Sequence, residues 1–102
     1  MREHAARAAR HLIDDVGTGP HGLVRVGTGD WSDGIVFFAN DRATATSIGE
    51  SVPNSQMATW VLPVAAAALF SGEPLGDELV AYAATLRAEL AEEWTGAWFR
   101  RS

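Results

Sequence analysis

An all-α fold is the class this sequence predicts, and three observations carry it. Apolar residues recur at helical spacing in three separate segments. Eighteen alanines, most of them inside those segments, favour helix intrinsically. Glycine and proline mark the breaks between the segments. At 102 residues the chain amounts to one domain or less, and with 47% hydrophobic and 21% charged residues it has the composition of a packed core rather than of a disordered chain.

The first helix is expected over roughly residues 2–16, where Ala5, Ala9, Leu12 and Val16 form one face and the arginines the other. Gly17, Gly19 and Pro20 stop it, because glycine accepts a left-handed cap and proline cannot extend a helix. The second is expected from about residue 53 to 70. Ser51 is its N-cap, and Pro53 sits in the first turn, where the N–H it lacks has no partner to lose. Met57, Val61, Val64 and Ala68 make its inward stripe, widened by Trp60 and Leu62, and Pro63 is expected to kink it. The third helix is expected over about residues 77–94, with Asp77 as cap, Gly96 as stop, and Leu79, Tyr82 or Ala83, Leu86, Leu90 and Trp94 in register.

One long irregular region of more than thirty residues separates the first and second helices. Its runs "GLVRVGT" and "GIVFFAN" have the β-branched and aromatic content of a short β-hairpin. Between them lies "GTGDWSDG", Gly27 to Gly34, in which Asp30 and Asp33 bracket Trp31 on a glycine frame. A connection this long inside a compact chain is usually functional.

Charge and composition exclude several classes. A net charge of −5 disfavours nucleic-acid binding, and the arginines cluster at the two ends as a solvated helix face and tail. The chain holds no cysteine, so disulfides and thiolate zinc sites are out. The apolar run from Trp60 to Phe70 is eleven residues, against about 20 for a membrane span. The N-terminus, Met-Arg-Glu-His-Ala, lacks the apolar stretch of a secretory signal, so a cytoplasmic location is expected. His4, His11 and His21 are too scattered to suggest a metal site, and His21 is expected to help shape its loop.

Read by themselves, Asp30 and Asp33 are turn residues that bond their own backbone. The other reading is that the stretch presents an acid and a flat apolar face to a ligand. Glu50, just ahead of the second helix, is either a further carboxylate in a cleft or a partner for the helix dipole. Trp94, Trp98 and Phe99 read as packing residues.

The segments "PHGLVRVGTGDWSDG", "GESVPNSQMATWVLP" and "WTGAWFRR" occur in that order over residues 20–101. In this the chain resembles the glycoside phosphorylases of the cellobiose and chitobiose phosphorylase type, and is similar to the catalytic region of cyclic β-glucan synthases. Those proteins share a six-hairpin (α/α)6 toroid. The resemblance implies that residues 1–102 are a single partial domain, a fragment of such a toroid with three helices and one long loop. It implies inverting cleavage of a glycosidic bond, with Asp33 as general acid, Trp31 lining the sugar site, and Asp30 and Glu50 as substrate-binding or supporting carboxylates. No cofactor or metal is implied, save inorganic phosphate as co-substrate if the reaction is phosphorolysis. The partners implied are an oligosaccharide and either the remainder of the barrel or a second copy. Ser32 stands where the family has asparagine, and the sequence after Gly-Glu-Ser-Val departs from the usual tryptophan. Because one acid cannot assemble a site alone, the isolated chain is expected to be inactive. The competing reading is a non-catalytic helical carbohydrate-binding or assembly module.

Overall fold

The computed structural model describes residues 1–27 and 38–100. They form four α-helices in the order α1 (Arg2–Arg10), α2 (Arg42–Ile48), α3 (Val52–Leu69) and α4 (Pro74–Glu92), and among the described residues there are β-bridges but no sheet. The all-α class is thus what the chain adopts, with one helix more than the sequence reading expected.

α1 has an apolar side of Ala5, Ala6 and Ala9 that packs on the core, continued by Leu12, Ile13 and Val16. From His11 to Val16 the helix widens into a π-helical turn, closed by the Gly17 N–H donating to the Leu12 carbonyl five residues back, at 2.9 Å. Gly17 then takes φ +64°, the left-handed conformation that glycine adopts without a Cβ penalty.

The arginines of α1 are not simply a solvated face. Arg2 pairs with Glu73, and its guanidinium lies 5.3 Å from the Phe70 ring centroid. Arg10 pairs with Glu78. These contacts cross from α1 to α4 and to the turn before it, which sequence spacing alone cannot reveal.

α3 and α4 are joined by four residues, Phe70 to Glu73, and pack against each other as a helical hairpin. Ser51 caps α3 as expected, its Oγ accepting the Asn54 N–H at 3.2 Å. The face of α3 that turns inward is, however, Ser55, Ala58, Leu62 and Ala66, while Met57, Trp60, Val61 and Val64 stay exposed. The expected stripe is therefore the outer one. The reason lies in the composition: α3 carries no charged residue, so nothing in its periodicity marks a solvent side. The small inner residues let α4 approach closely, and Leu79, Ala83 and Leu86 complete the core with Phe70. α3 runs through Pro63 as one helix. The Thr59 carbonyl, which a residue with an N–H at position 63 would have engaged, instead accepts from Arg87 Nη2 of α4 at 3.4 Å.

α4 starts earlier than the sequence suggests. Pro74 occupies its first turn and Glu73 is the N-cap residue without a side-chain bond, so Asp77 is a first-turn acid facing the helix dipole rather than the cap. Gly76 is buried in that turn, where a Cβ would lie 2.3 Å from the Phe70 carbonyl oxygen. Beyond Glu92, Trp94 and Phe99 form a small antiparallel bridge with ring centroids 5.1 Å apart, and Gly96, at φ +95°, sits in the turn between them. All three aromatics there, Trp94, Trp98 and Phe99, are substantially exposed.

The long connection holds α2, which sequence reading missed. Asp41 caps it, with Oδ1 accepting the Thr44 N–H at 3.0 Å and Oδ2 the Thr44 hydroxyl at 2.6 Å. The signal was present as aspartate followed by threonine at the third helical position. The helix after it is short, rich in Thr and Ser, and buries no residue, so neither propensity nor periodicity announced it. Of the second run of the expected hairpin, residues 34–40, residues 34–37 lie outside the described residues, and Phe38 is exposed.

The first run does pair, with different partners. The Arg25 N–H donates to the Gly17 carbonyl at 3.1 Å and the Gly19 N–H to the Leu23 carbonyl at 2.9 Å. On the other edge the Val26 N–H donates to Gly49 at 2.8 Å and the Ser51 N–H to Val24 at 2.8 Å. Residues 23–26 are thus held between the exit of α1 and the entry to α3.

Candidate functional site

The candidate loop leaves this clamped segment at Gly27. Asp30, Trp31 and Asp33 fall within residues 28–37 and so lie outside the described residues. What the structure gives is the frame from which the loop departs.

One wall of that frame is a groove of about 860 Å³. Its apolar lining includes Val16, Val24, Val26, Met57, Val61 and Leu62, and Asp15, Arg25, Ser47 and Asn54 stand among its polar residues. Gly27 lines it too, so the loop begins at its edge. Arg25 is steadied by its Nε donating to the Thr18 carbonyl at 3.0 Å. An apolar cleft with a few convergent polar groups is the usual form of a small-molecule site. Sequence reading missed these residues, because they come from the π-helical turn after α1, the extended segment, α2 and α3, and no spacing in the chain unites them.

The second feature is a buried carboxylate. Glu50 is 8% exposed and is the antiparallel bridge partner of Arg25. Its Oε1 accepts the backbone N–H of His21 at 2.9 Å and of Leu23 at 3.0 Å. Its Oε2 lies 2.7 Å from His21 Nδ1. The turn thus held is Gly19-Pro20-His21-Gly22, closed by the Gly22 N–H donating to the Gly19 carbonyl at 3.1 Å, with proline second and glycine fourth as such turns favour. Gly19 is required by proximity, since a Cβ there would lie 2.5 Å from Glu50 Cγ. Glu50 is not among the described residues lining the groove.

Below it, Ser55 Oγ accepts the Val24 N–H at 2.9 Å and donates to the Ser51 carbonyl at 2.7 Å, tying the extended segment to α3. Leu23, Val52 and Leu90 close a second apolar cluster that brings in the last turn of α4. Two of the three sequence blocks singled out above, "PHGL" and "GESV", are therefore in direct contact, and the α4 turn that precedes the third packs on them.

Among the described residues no three His, Cys, Asp or Glu side chains gather as a metal-binding set. No described helix is long and apolar enough to cross a membrane. No protein-family model, no curated protein and no solved structure matches the chain.

Proposed function

We propose that this chain is part of a six-hairpin (α/α)6 catalytic domain that cleaves glycosidic bonds with inversion. Asp33 is the general acid, Trp31 the platform for a sugar ring, and Asp30 the neighbouring carboxylate that helps Asp33 keep its proton. In this reaction Asp33 delivers a proton to the leaving glycosidic oxygen while phosphate or water attacks the anomeric carbon from the opposite face. With water, a second carboxylate about 6.5–9.5 Å from the first activates the nucleophile. With phosphate, basic groups supplied by the rest of the barrel hold the attacking anion instead.

The observation that carries the reading is the convergence of the sequence blocks. The Glu50–His21 contact joins the "GESV" block to the "PHGL" block, and the Leu23–Val52–Leu90 cluster brings in the end of α4. The acid-bearing loop follows directly from the segment so clamped and starts beside the groove. A set of motifs that shapes one site is expected to meet in space in this way. The exposed apolar side of α3, with Trp60 71% exposed, supports packing against further helical hairpins of the same domain, in keeping with a fragment.

That same surface favours a second reading, a non-catalytic helical carbohydrate-binding or assembly module that self-associates through α3. Glycan turnover by the chain restored to its full domain separates the two. Asp33→Asn is expected to lower kcat by about 10²–10⁴-fold with little change in KM, the usual contribution of a general acid. Unchanged turnover in that variant refutes the enzymatic reading.

A further inference from the structure

The Glu50–His21 pair has two unequal halves. The Glu50 side chain is 7% exposed and the His21 side chain 71%. Three donors converge on Glu50, namely two backbone N–H groups on Oε1 and the imidazole on Oε2, which calls for an acceptor-only carboxylate. A neutral imidazole owns a single N–H, and the 2.7 Å contact places it on Nδ1. Nε2 then bears a lone pair and has no hydrogen-bond partner among the described residues. The ring is held at its back by a buried group and open at its front, the arrangement by which carboxylates fix the tautomer of working histidines.

We propose that His21 is a ligand-contacting residue whose Nε2 accepts a hydrogen bond from a ligand hydroxyl, with Glu50 as the positioning residue that sets its tautomer and orientation. The class of ligand, a neutral saccharide, rests on the function proposed above. Local charge agrees with that class. Glu50 lies behind the ring, and Glu89 of α4 abuts the same turn, its Cγ 2.9 Å from where a Cβ on Gly22 would sit. Two carboxylates disfavour an anion there, so this is a hydroxyl site and not one for inorganic phosphate.

His11 provides an internal control. Its Nδ1 is also 2.7 Å from a carboxylate, that of Asp15, but both side chains of that pair are 67% exposed. Water competes for that pair and screens it. The same contact distance therefore predicts a fixed tautomer at His21 and a mixed one at His11.

Long-range 1H–15N correlation spectra of the labelled 102-residue chain, at an alkaline pH where imidazoles are neutral, read the tautomers directly. His21 is expected to show a protonated Nδ1 and an unprotonated Nε2, and His11 a mixture. In Glu50→Gln the amide oxygen can still accept the two backbone N–H groups while its NH2 faces Nδ1, so the His21 proton is expected to move to Nε2. A wild-type His21 protonated on Nε2, or a folded Glu50→Gln chain with an unchanged tautomer, overturns the proposal. If Glu50→Gln does not fold, the wild-type tautomer decides by itself.

Titration of the labelled chain, restored to its full domain, with cellobiose and, separately, inorganic phosphate tests the ligand. The His21 Nε2 resonance is expected to shift with cellobiose and not with phosphate, alongside the Trp31 indole resonance. A shift at Trp31 alone overturns the role of His21 and leaves the glycoside reading standing. A shift at His21 alone supports this site and counts against the sugar platform at Trp31. No shift at either residue overturns both, and a response of His21 to phosphate alone overturns the hydroxyl assignment.

Discussion

Glycine at position 19 and glutamate at position 50 are expected to be energetically inseparable, and a double-mutant cycle measures this. A Cβ on residue 19 would lie 2.5 Å from Glu50 Cγ and 2.8 Å from both Cδ and Oε1. Glu50 cannot swing aside, because its carboxylate is held by His21 and Leu23. Gly19→Ala alone is therefore expected to destabilise by about 1–3 kcal/mol, the usual range for overpacking. Glu50→Ala alone removes charge-assisted bonds and leaves the buried Leu23 N–H without its acceptor, a loss of about 2–4 kcal/mol. Once Glu50 is alanine, the atoms that obstruct the methyl group are gone. The Gly19→Ala change should then be neutral or stabilising by about 0.4–1 kcal/mol, since the backbone there is not left-handed and alanine restricts the unfolded chain. The coupling energy is thus expected at about 1–4 kcal/mol, of the order found for directly contacting pairs. Urea denaturation followed by far-UV circular dichroism gives all four stabilities. Additivity within about 0.5 kcal/mol would refute the clasp.

Other expectations follow from single groups. Ser55→Ala orphans the buried Val24 N–H and is expected to destabilise by about 1–3 kcal/mol, with Ser55→Thr a milder change by the same denaturant assay. Tyr82 has a buried hydroxyl with no partner among the described residues, so Tyr82→Phe should be neutral or up to about 1 kcal/mol more stable. Burial also pushes the Tyr82 phenol up. The folded state therefore holds that proton more tightly, and wild-type stability should fall as pH rises past the unfolded value near 10. Tyr82→Phe should abolish that slope, and a slope that persists would assign it elsewhere. Hydrogen bonds from the Thr44 hydroxyl and N–H hold the Asp41 carboxyl below its ordinary range. Its stabilising effect on α2 is complete above the unfolded value of about 3.9 and is lost as pH falls through the lower folded value. A pH series of Thr44 amide shifts, flat in Asp41→Asn, would check it.

Sequence and tertiary structure each determined different parts of this protein. The helical class, the stop at Gly17, the Ser51 cap and the extent of α3 were legible from the residues alone, because these depend on neighbours a few positions apart. The sequence also singled out Glu50 and His21, without revealing that they touch. Which face of α3 turns inward was decided only when α4 packed against it, since an uncharged helix carries no label for solvent. The groove, the clasp over the "PHGL" turn and the pairing of α1 arginines with α4 depend on residues brought together across twenty-nine to seventy-one positions, as for His21–Glu50 and Arg2–Glu73. Local propensity is blind to such distances, and a folded core is what closes them.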